Sequence, residues 1–250
     1  MASLVVMLKI SEKMKNFYAA ILIAMAVVSL SSCEKVVGKG PVVTESRTTG
    51  SFSEIEFSVP GSIRYEQAES REIVIEAQRN IIDVIETRVS GDQLKVYVRN
   101  NTNIKSHEEI IITVKGPGVH TIALQGSANL NIPGVFTPTN AKLSLSGSGN
   151  INVNSIETHR LDVNISGSGN IRIDDGTAET ENITISGSGN VDLVGVEANT
   201  VKTKTSGSGN ITVFVNEELD AKISGSGDVN YKGTPVVNAD ISGSGRVRKL

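Results

Sequence analysis

The chain has 250 residues, of which 24 are glycine, one is cysteine and none is tryptophan, and its formal net charge at pH 7 is −3. This mild acidity argues against nucleic acid as a partner, because phosphate binding requires a basic surface. A single cysteine excludes an internal disulfide. Many glycines and few aromatic residues favour short strands and tight turns over a helical protein.

The N-terminal 33 residues are typical of a bacterial lipoprotein signal peptide. Three lysines precede the apolar stretch Phe17 to Leu30, whose 14 residues are too few for a membrane span of roughly 20. The stretch leads into Leu-Ser-Ser-Cys, which resembles the lipobox in which the cysteine is acylated and becomes the new N-terminus. We therefore predict a signal peptide at 1–33, with 1–13 an over-extended gene start, and a lipid on Cys33. An incidental free thiol is the alternative.

Composition predicts the domain organisation of the remainder. Cleavage before Cys33 would leave 21 basic and 26 acidic side chains, a net charge of −5. Residues 34–50 combine glycine and proline with serine and threonine, which predicts a flexible tether between lipid and domain. We expect residues 51–250 to form one domain, irregular at 51–118 and repetitive at 119–250.

The irregular part of the domain is predicted to be mostly β. Apolar residues in alternation indicate short strands, for example on both sides of the turn at Pro60–Gly61. Between Asn80 and Val89 the apolar spacing instead predicts one short helix, which Asn80 would cap.

A five-residue motif, Ser-Gly-Ser-Gly-Asn, recurs through the second half of the chain. Its opening serines are spaced by 20, 20, 20, 18 and 18 residues, so every interval is even. Because strand side chains alternate between two faces, an even repeat keeps equivalent residues on the same face. The odd step from Gly126 to Gly147 is expected to be absorbed by the loop around Pro133–Gly134. The opening serines are Ser146, Ser166, Ser186, Ser206, Ser224 and Ser242.

Alternating apolar residues flank every copy of the motif, as Leu143 and Leu145 before it and Ile151 and Val153 after it. One unit cannot bury these side chains alone, whereas coils stacked about 4.8 Å apart in parallel register can. A repeat of 18 to 20 residues also leaves no room for a crossover helix beside two strands. The array therefore predicts an all-β solenoid.

The residue types of the motif suit a sharp bend between two strands. Glycine permits positive φ and close approach of successive coils. Asparagine tolerates the left-handed region and can stack into a ladder of amides. We predict that the motif is a structural turn, built by Gly147, Gly149, Asn150, Gly167, Gly169, Asn170, Gly187, Gly189, Asn190, Gly207, Gly209, Asn210, Gly225, Gly227, Asp228, Gly243 and Gly245.

The repeated Gly-Ser-Gly-Asn-Ile motif follows a segment, Phe52 to Val98, that contains Asn80-Ile81-Ile82 and Gly91-Asp92. Over about residues 52–250 this arrangement resembles the head GIN domain family of autotransporter adhesins. The resemblance implies a right-handed parallel β-helix on an exported protein, often a lipoprotein of the Bacteroides group, and implies no chemistry. With a lipid on Cys33, the expected location is the cell envelope, at the outer membrane.

Residues that could carry chemistry are sparse. Asp174–Asp175, Glu217–Glu218 and Glu108–Glu109 are the candidates for acid–base catalysis, although adjacent loop carboxylates usually point apart into water. Calcium-binding β-roll repeats need a carboxylate where this motif has isoleucine. No metal and no cofactor are expected. The histidines are too isolated for a zinc site or a nucleophilic triad; they are His107, His120 and His159.

The second serine of each motif belongs to a predicted row of hydroxyls beside the asparagines. Such a row could bind a glycan or a protein of the envelope, or it could satisfy the turn backbone. We therefore predict a lipid-anchored cell-envelope protein with a structural or adhesive role and no catalysis. The alternative is a carbohydrate-active enzyme that uses a loop carboxylate pair. The row consists of Ser148, Ser168, Ser188, Ser208, Ser226 and Ser244.

Overall fold

The computed structural model describes residues 34–250, a range that folds into nineteen strands and one helical turn. The predicted signal peptide, the over-extended start and Cys33 lie outside the described residues. The elements are β1 (Glu34–Val36), β2 (Val42–Thr48), β3 (Glu54–Ser58), β4 (Ser62–Gln67), β5 (Glu72–Gln78), α1 (Arg79–Ile82), β6 (Ile85–Ser90), β7 (Gln93–Val98), β8 (Thr102–Ile104), β9 (Ile111–Gly116), β10 (Thr121–Gly126), β11 (Asn129–Phe136), β12 (Asn140–Gly147), β13 (Asn150–Gly167), β14 (Asn170–Gly187), β15 (Asn190–Gly207), β16 (Ile211–Gly225), β17 (Val229–Gly233), β18 (Val236–Gly243) and β19 (Val247–Lys249).

The chain winds into a β-solenoid of about six turns, which confirms the predicted fold class. Strands that lead into the glycine-rich turns form sheet A, and strands that leave those turns form sheet B. Successive coils pair in parallel, and most pair in register, as Gly147, Gly167 and Gly187 do. Between β15 and β16 the register shifts at the corner, between Leu193 and Thr200. Sheet A contains β3, β10, β12, the second halves of β13 to β16, and β18. Sheet B contains β4, β11, the first halves of β13 to β16, β17 and β19.

Even repeat spacing places the apolar residues of every coil inside. Leu143, Val163 and Ile183 are stacked in register in sheet A and are fully buried or nearly so. The odd step earlier in the chain is absorbed where it was expected, since the register between β11 and β13 shifts between Ile132 and Val135. The buried side chains form one hydrophobic cluster from Val36 to Val229.

The first coil, β3 and β4, rests on a base of mixed strands. The parallel stacking continues downward, because β7 pairs with β3 and β9 pairs with β4. Below them the direction changes, because β6 runs antiparallel to β7 and β5 runs antiparallel to β9. A separate two-stranded parallel sheet joins β1 to β8. The base therefore closes one end of the core with strands that do not follow the repeat.

The prediction of a flexible tether at 34–50 is wrong for the strands in that range. Residues of β2 pair antiparallel with β5 over their whole length, from Val42 opposite Gln78 to Thr48 opposite Glu72. The Arg47 guanidinium also donates to the Ile85 carbonyl oxygen at 2.8 Å. Valine and threonine favour extended backbone, and pairing with β5 outweighs the glycine and proline nearby.

The prediction of a helix from Asn80 to Val89 is also wrong, both in the length of the helix and in its capping residue. Helix α1 is a single turn that begins at Arg79, and β6 occupies most of the remaining range. Asn80 lies inside the turn, where its amide nitrogen donates to the Val37 carbonyl oxygen at 2.8 Å. Ile81, Ile82, Val84 and Ile85 are buried, but antiparallel pairing with β7 makes the second half of the segment a strand.

Candidate functional site

Backbone hydrogen bonds to the preceding coil hold each glycine-rich turn. The amides of Ser188 and Gly189 both donate to the Gly167 carbonyl oxygen, at 2.9 and 3.1 Å. At Gly187 φ is +129°, and a Cβ there would lie 2.2 Å from the same oxygen. At Gly189 only space is limiting, because a Cβ would lie 2.2 Å from the Gly169 carbonyl oxygen. The first glycine is therefore required by conformation and contact, and the second by contact alone.

Asparagine side chains form a ladder beside these turns. Each amide nitrogen donates to the amide oxygen of the coil below, at 2.7 to 3.0 Å. Above Asn210 the side-chain donor is missing, because Asp228 has no amide group, and only its backbone amide donates to the Asn210 side-chain oxygen, at 3.0 Å. A carboxylate can occupy this position because the Asp228 side chain is needed only as a hydrogen-bond acceptor, and it accepts from the Arg246 backbone amide at 2.9 Å. The ladder runs through Asn129, Asn150, Asn170, Asn190 and Asn210.

Serine side chains on both sides of the first glycine are exposed along the array. We call the row of second serines, Ser148 to Ser244, the serine ridge. The fold uses the backbone of these residues, since their amides make the turn bonds. In residues 34–250 the serine hydroxyls that donate to protein groups are those of Ser58, Ser62 and Ser155. The ridge hydroxyls therefore face solvent and do not satisfy the turn backbone.

A groove of about 590 Å³ follows the opposite corner of the solenoid, where each coil passes from sheet B to sheet A of the next. Five successive corners line this corner groove, so at ~4.8 Å per coil it extends about 19 Å. Its lining consists largely of hydroxyl, amide and carboxylate groups and contains no phenylalanine, tyrosine or tryptophan. One residue from each corner is Thr139, Glu157, Thr177, Glu197 and Asn216.

Carboxylates dominate the charge of the corner groove. Thr177 pairs with Glu157 in the coil below and with Glu197 in the coil above, so the two glutamates lie two coils apart. Glu179 lies on the intervening coil, with its Oε1 2.9 Å from Nδ1 of His159, the one basic side chain in the lining. All three carboxylates are exposed. The groove therefore favours neutral or cationic ligands over anionic ones.

None of the three carboxylate pairs forms part of this groove. Asp174 is hydrogen-bonded to Arg172 on its own strand. Glu218 accepts from the Asn238 side chain at 3.3 Å, and Glu109 accepts from the Ser62 hydroxyl at 2.8 Å. Every member of the three pairs is exposed, in three separate parts of the fold.

The histidines are also dispersed. His159 lies in the corner groove, His120 lines an adjoining hollow of about 480 Å³, and His107 lies near the base. Across residues 34–250, no three histidine, cysteine or acidic side chains are grouped as metal ligands. The same range contains no helix that is long and apolar enough to cross a membrane.

Sequence reasoning missed the corner groove. A signal was present, because Glu157, Glu179 and Glu197 recur between the apolar runs of three consecutive units. The spacing does not reveal a groove, because the concavity depends on how the backbone bends at each corner.

Comparisons with known proteins agree on the fold. A family model described as "Putative auto-transporter adhesin, head GIN domain" matches residues 51–235. A crystal structure of a "putative adhesin" from Bacteroides fragilis is 24% identical, with a TM-score of 0.82, and the alignment covers 86% of this chain and 100% of that one. A "putative lipid binding protein" from Parabacteroides distasonis is 24% identical, with a TM-score of 0.75 and coverage of 87% and 100%.

A third solved structure, a "putative adhesin" from Parabacteroides merdae, is 25% identical, with a TM-score of 0.72 and coverage of 87% of this chain and 99% of that one. A search of curated proteins gave no match. At these identities the structural likeness concerns the fold, and the family assignment depends on the family model.

Proposed function

This chain belongs to the head GIN domain family of auto-transporter adhesins, and on that premise we propose that it is a lipid-anchored cell-envelope protein that binds a glycan in its corner groove. It acts by binding and catalyses no reaction. The observation that carries the proposal is the groove itself, a concave and polar surface built by five successive corners.

Rigid coils support the groove. Its lining residues belong to strands or to the short connections between them, and those strands are paired on both sides through most of the array. A site on such a scaffold loses little conformational entropy when it binds. Regular concave faces of this kind are the usual binding surfaces of solenoid proteins.

The chemistry of the groove favours a neutral or amino-sugar glycan. Carboxylates and amide oxygens accept hydrogen bonds from sugar hydroxyls, and threonine hydroxyls can both donate and accept. Glu157, Glu179 and Glu197 would repel an acidic polysaccharide and would attract the ammonium group of an amino sugar. An apolar partner would leave these polar groups without hydrogen bonds.

The proposed lipid on Cys33 would hold the base of the solenoid near the membrane. Residue 34 already begins β1, which pairs with β8 in the base. A lipid on the preceding residue would therefore attach with little intervening chain. The corner groove runs along the side of the solenoid from Thr137 to Asn216, so it would extend away from the bilayer.

A glycan array tests the proposed binding. The full chain is compared with the triple variant Glu157→Gln, Glu179→Gln, Glu197→Gln, which keeps the shape of the groove and removes its charge. We expect wild type to select neutral or amino-sugar glycans and the triple variant to lose at least about tenfold in affinity, or 1.4 kcal/mol.

A matched variant controls for net charge. Asp83→Asn, Asp92→Asn and Asp240→Asn remove three exposed carboxylates outside the groove, and this variant should bind like wild type. Ser168→Ala, Ser188→Ala and Ser208→Ala test the serine ridge in the same assay. Loss of binding in the ridge variant alone would contradict the groove proposal, and so would turnover of any bound glycan.

A further inference from the structure

Glu181 occupies a position where the neighbouring coils have apolar residues. In sheet A its register partners are Leu161 in the coil below and Val201 in the coil above. Its side chain is 0% exposed, and neither carboxylate oxygen has a hydrogen-bond partner. Among the described residues it is the one charged side chain in the buried core.

The strands around Glu181 provide no counter-charge. Buried side chains of β13, β14 and β15 are apolar except for Glu181, Ser155, Thr203 and Thr205. The two threonine hydroxyls also lack partners. The charged residues nearest in register are Arg160, Asp162 and Lys202, which lie opposite Thr180 or Asn182 at outward-facing positions of the same sheet. The Arg160 guanidinium donates to the Asp162 carboxylate and not to Glu181.

A carboxyl group in such surroundings is stable only as the neutral acid. Ionisation in an apolar core costs several kcal/mol when no cation or donor compensates it. Burial accordingly raises the pKa of Glu181 well above its ordinary value. An acidic side chain at this place weakens the coil that contains it whenever the proton is lost.

We propose that Glu181 is a proton-operated switch at the centre of the solenoid, neutral while its coil is closed and ionised when that coil opens. This inference is independent of glycan binding. The switch would nonetheless affect the corner groove, because Ala178 and Glu179 in the groove lining lie only three and two residues before Glu181 on β14.

The direction of the pH effect follows from proton binding. An unfolded glutamate has a pKa of about 4.3. Between that pH and the raised pKa of the folded state, the folded chain keeps a proton that the unfolded chain has released, so stability falls as pH rises. Above the folded-state pKa the carboxyl group is ionised in both states, so the loss of stability is complete and stability no longer changes with pH through this group.

The contribution of Glu45 to stability changes outside this pH window. Hydrogen bonds from Arg47 and then Arg79 lower the pKa of Glu45. Its contribution to stability is therefore present above about pH 4.5 and is lost as pH falls through its lowered pKa. Between pH 5 and pH 8 that contribution is constant.

Thermal unfolding of the full chain from pH 5 to pH 8 tests the switch. Glu181→Gln removes ionisation at nearly constant shape, and Glu181→Leu restores the residue type found at position 161. We expect the wild-type Tm to fall as pH rises and both variants to lose most of that slope. Glu181→Leu should exceed wild type at pH 8 by at least about 3 °C.

Glu217→Gln is the matched control, because it changes an exposed glutamate of the array that lies outside the corner groove, and it should keep the wild-type slope. Hydrogen exchange at both ends of the pH range, corrected for intrinsic rates, should show faster exchange at pH 8 in residues 178–187 of wild type only. A pH slope that persists in both Glu181 variants would overturn the switch. A lower Tm for Glu181→Leu than for wild type at pH 8 would also overturn it.

Discussion

Gly187 and Gly189 lie two residues apart in one turn and are constrained for different reasons. Gly187 has a positive φ that residues with a side chain rarely adopt, and a Cβ there would also collide with the Gly167 carbonyl oxygen. At Gly189 the only obstacle to a Cβ is its contact with the Gly169 carbonyl oxygen. Ser188 between them is exposed. Three adjacent residues of one motif should therefore respond very differently to alanine.

We expect Gly187→Ala to lower the free energy of unfolding by about 2 kcal/mol or more, because strain and a contact with backbone add. Gly187→Val should cost more still. Ser188→Ala should change it by less than about 0.5 kcal/mol. Urea unfolding of the three variants measures these differences. Equal stability of Gly187→Ala and wild type would contradict the turn geometry.

At the residue scale, the sequence could predict the features that recur in every coil. The turn glycines and the asparagine ladder have regular spacing, and their physical reasons are local. The 20-residue repeat aligns Glu181 with the apolar Leu161 and Val201 on the inward face, but it does not reveal that the carboxyl group lacks a hydrogen-bond partner. The role of Asn80 was also hidden, because its side chain bonds to the backbone of residues 37 and 39, far away in the chain.

At the scale of the element, the core depends on whether the number of residues per coil is even or odd, which we call the parity of the repeat. An even number of residues per coil keeps each apolar column inside. The odd step between Gly126 and Gly147 is accommodated by a register shift at Pro133–Gly134, and the shorter step from β15 to β16 is accommodated by register shifts at the corner. A coil should therefore be removable as a unit, provided that an even number of residues is removed.

Two deletions that differ by one residue test parity. Removing 152–171 joins Ile151 to Arg172 and keeps the alternation, so a shorter solenoid should still fold. Removing 152–170 joins Ile151 to Ile171, so each later side chain of that strand points to the opposite face of the sheet. We expect a clearly lower Tm and stronger binding of a hydrophobic dye for the second deletion. Similar behaviour of the two would contradict the argument.

Elements of the base were harder to predict than those of the array. After its two valines β2 is entirely polar, and its antiparallel pairing with β5 joins segments about thirty residues apart and leaves no periodic signal. Likewise, β6 becomes a strand because it pairs with β7. Local composition alone therefore suggested a tether and a longer helix.

At the scale of the whole molecule, we propose a lipid anchor on Cys33 together with a binding groove on the side of the solenoid. Cys33→Ser should move the protein from the membrane fraction to the soluble fraction, because acylation of the thiol is the proposed attachment. Fractionation followed by immunoblotting measures the distribution. Unchanged pelleting with membranes would contradict the lipid anchor and would leave the groove proposal to be judged by glycan binding.

The most direct test of the central claim is capture of the glycan selected on the array by washed membranes from cells that produce the protein. Wild-type membranes should capture the glycan, and membranes with the Glu157, Glu179 and Glu197 triple variant should hold as much protein yet capture at least about tenfold less. Equal capture by the two membrane preparations would contradict the claim that the corner groove is the binding site.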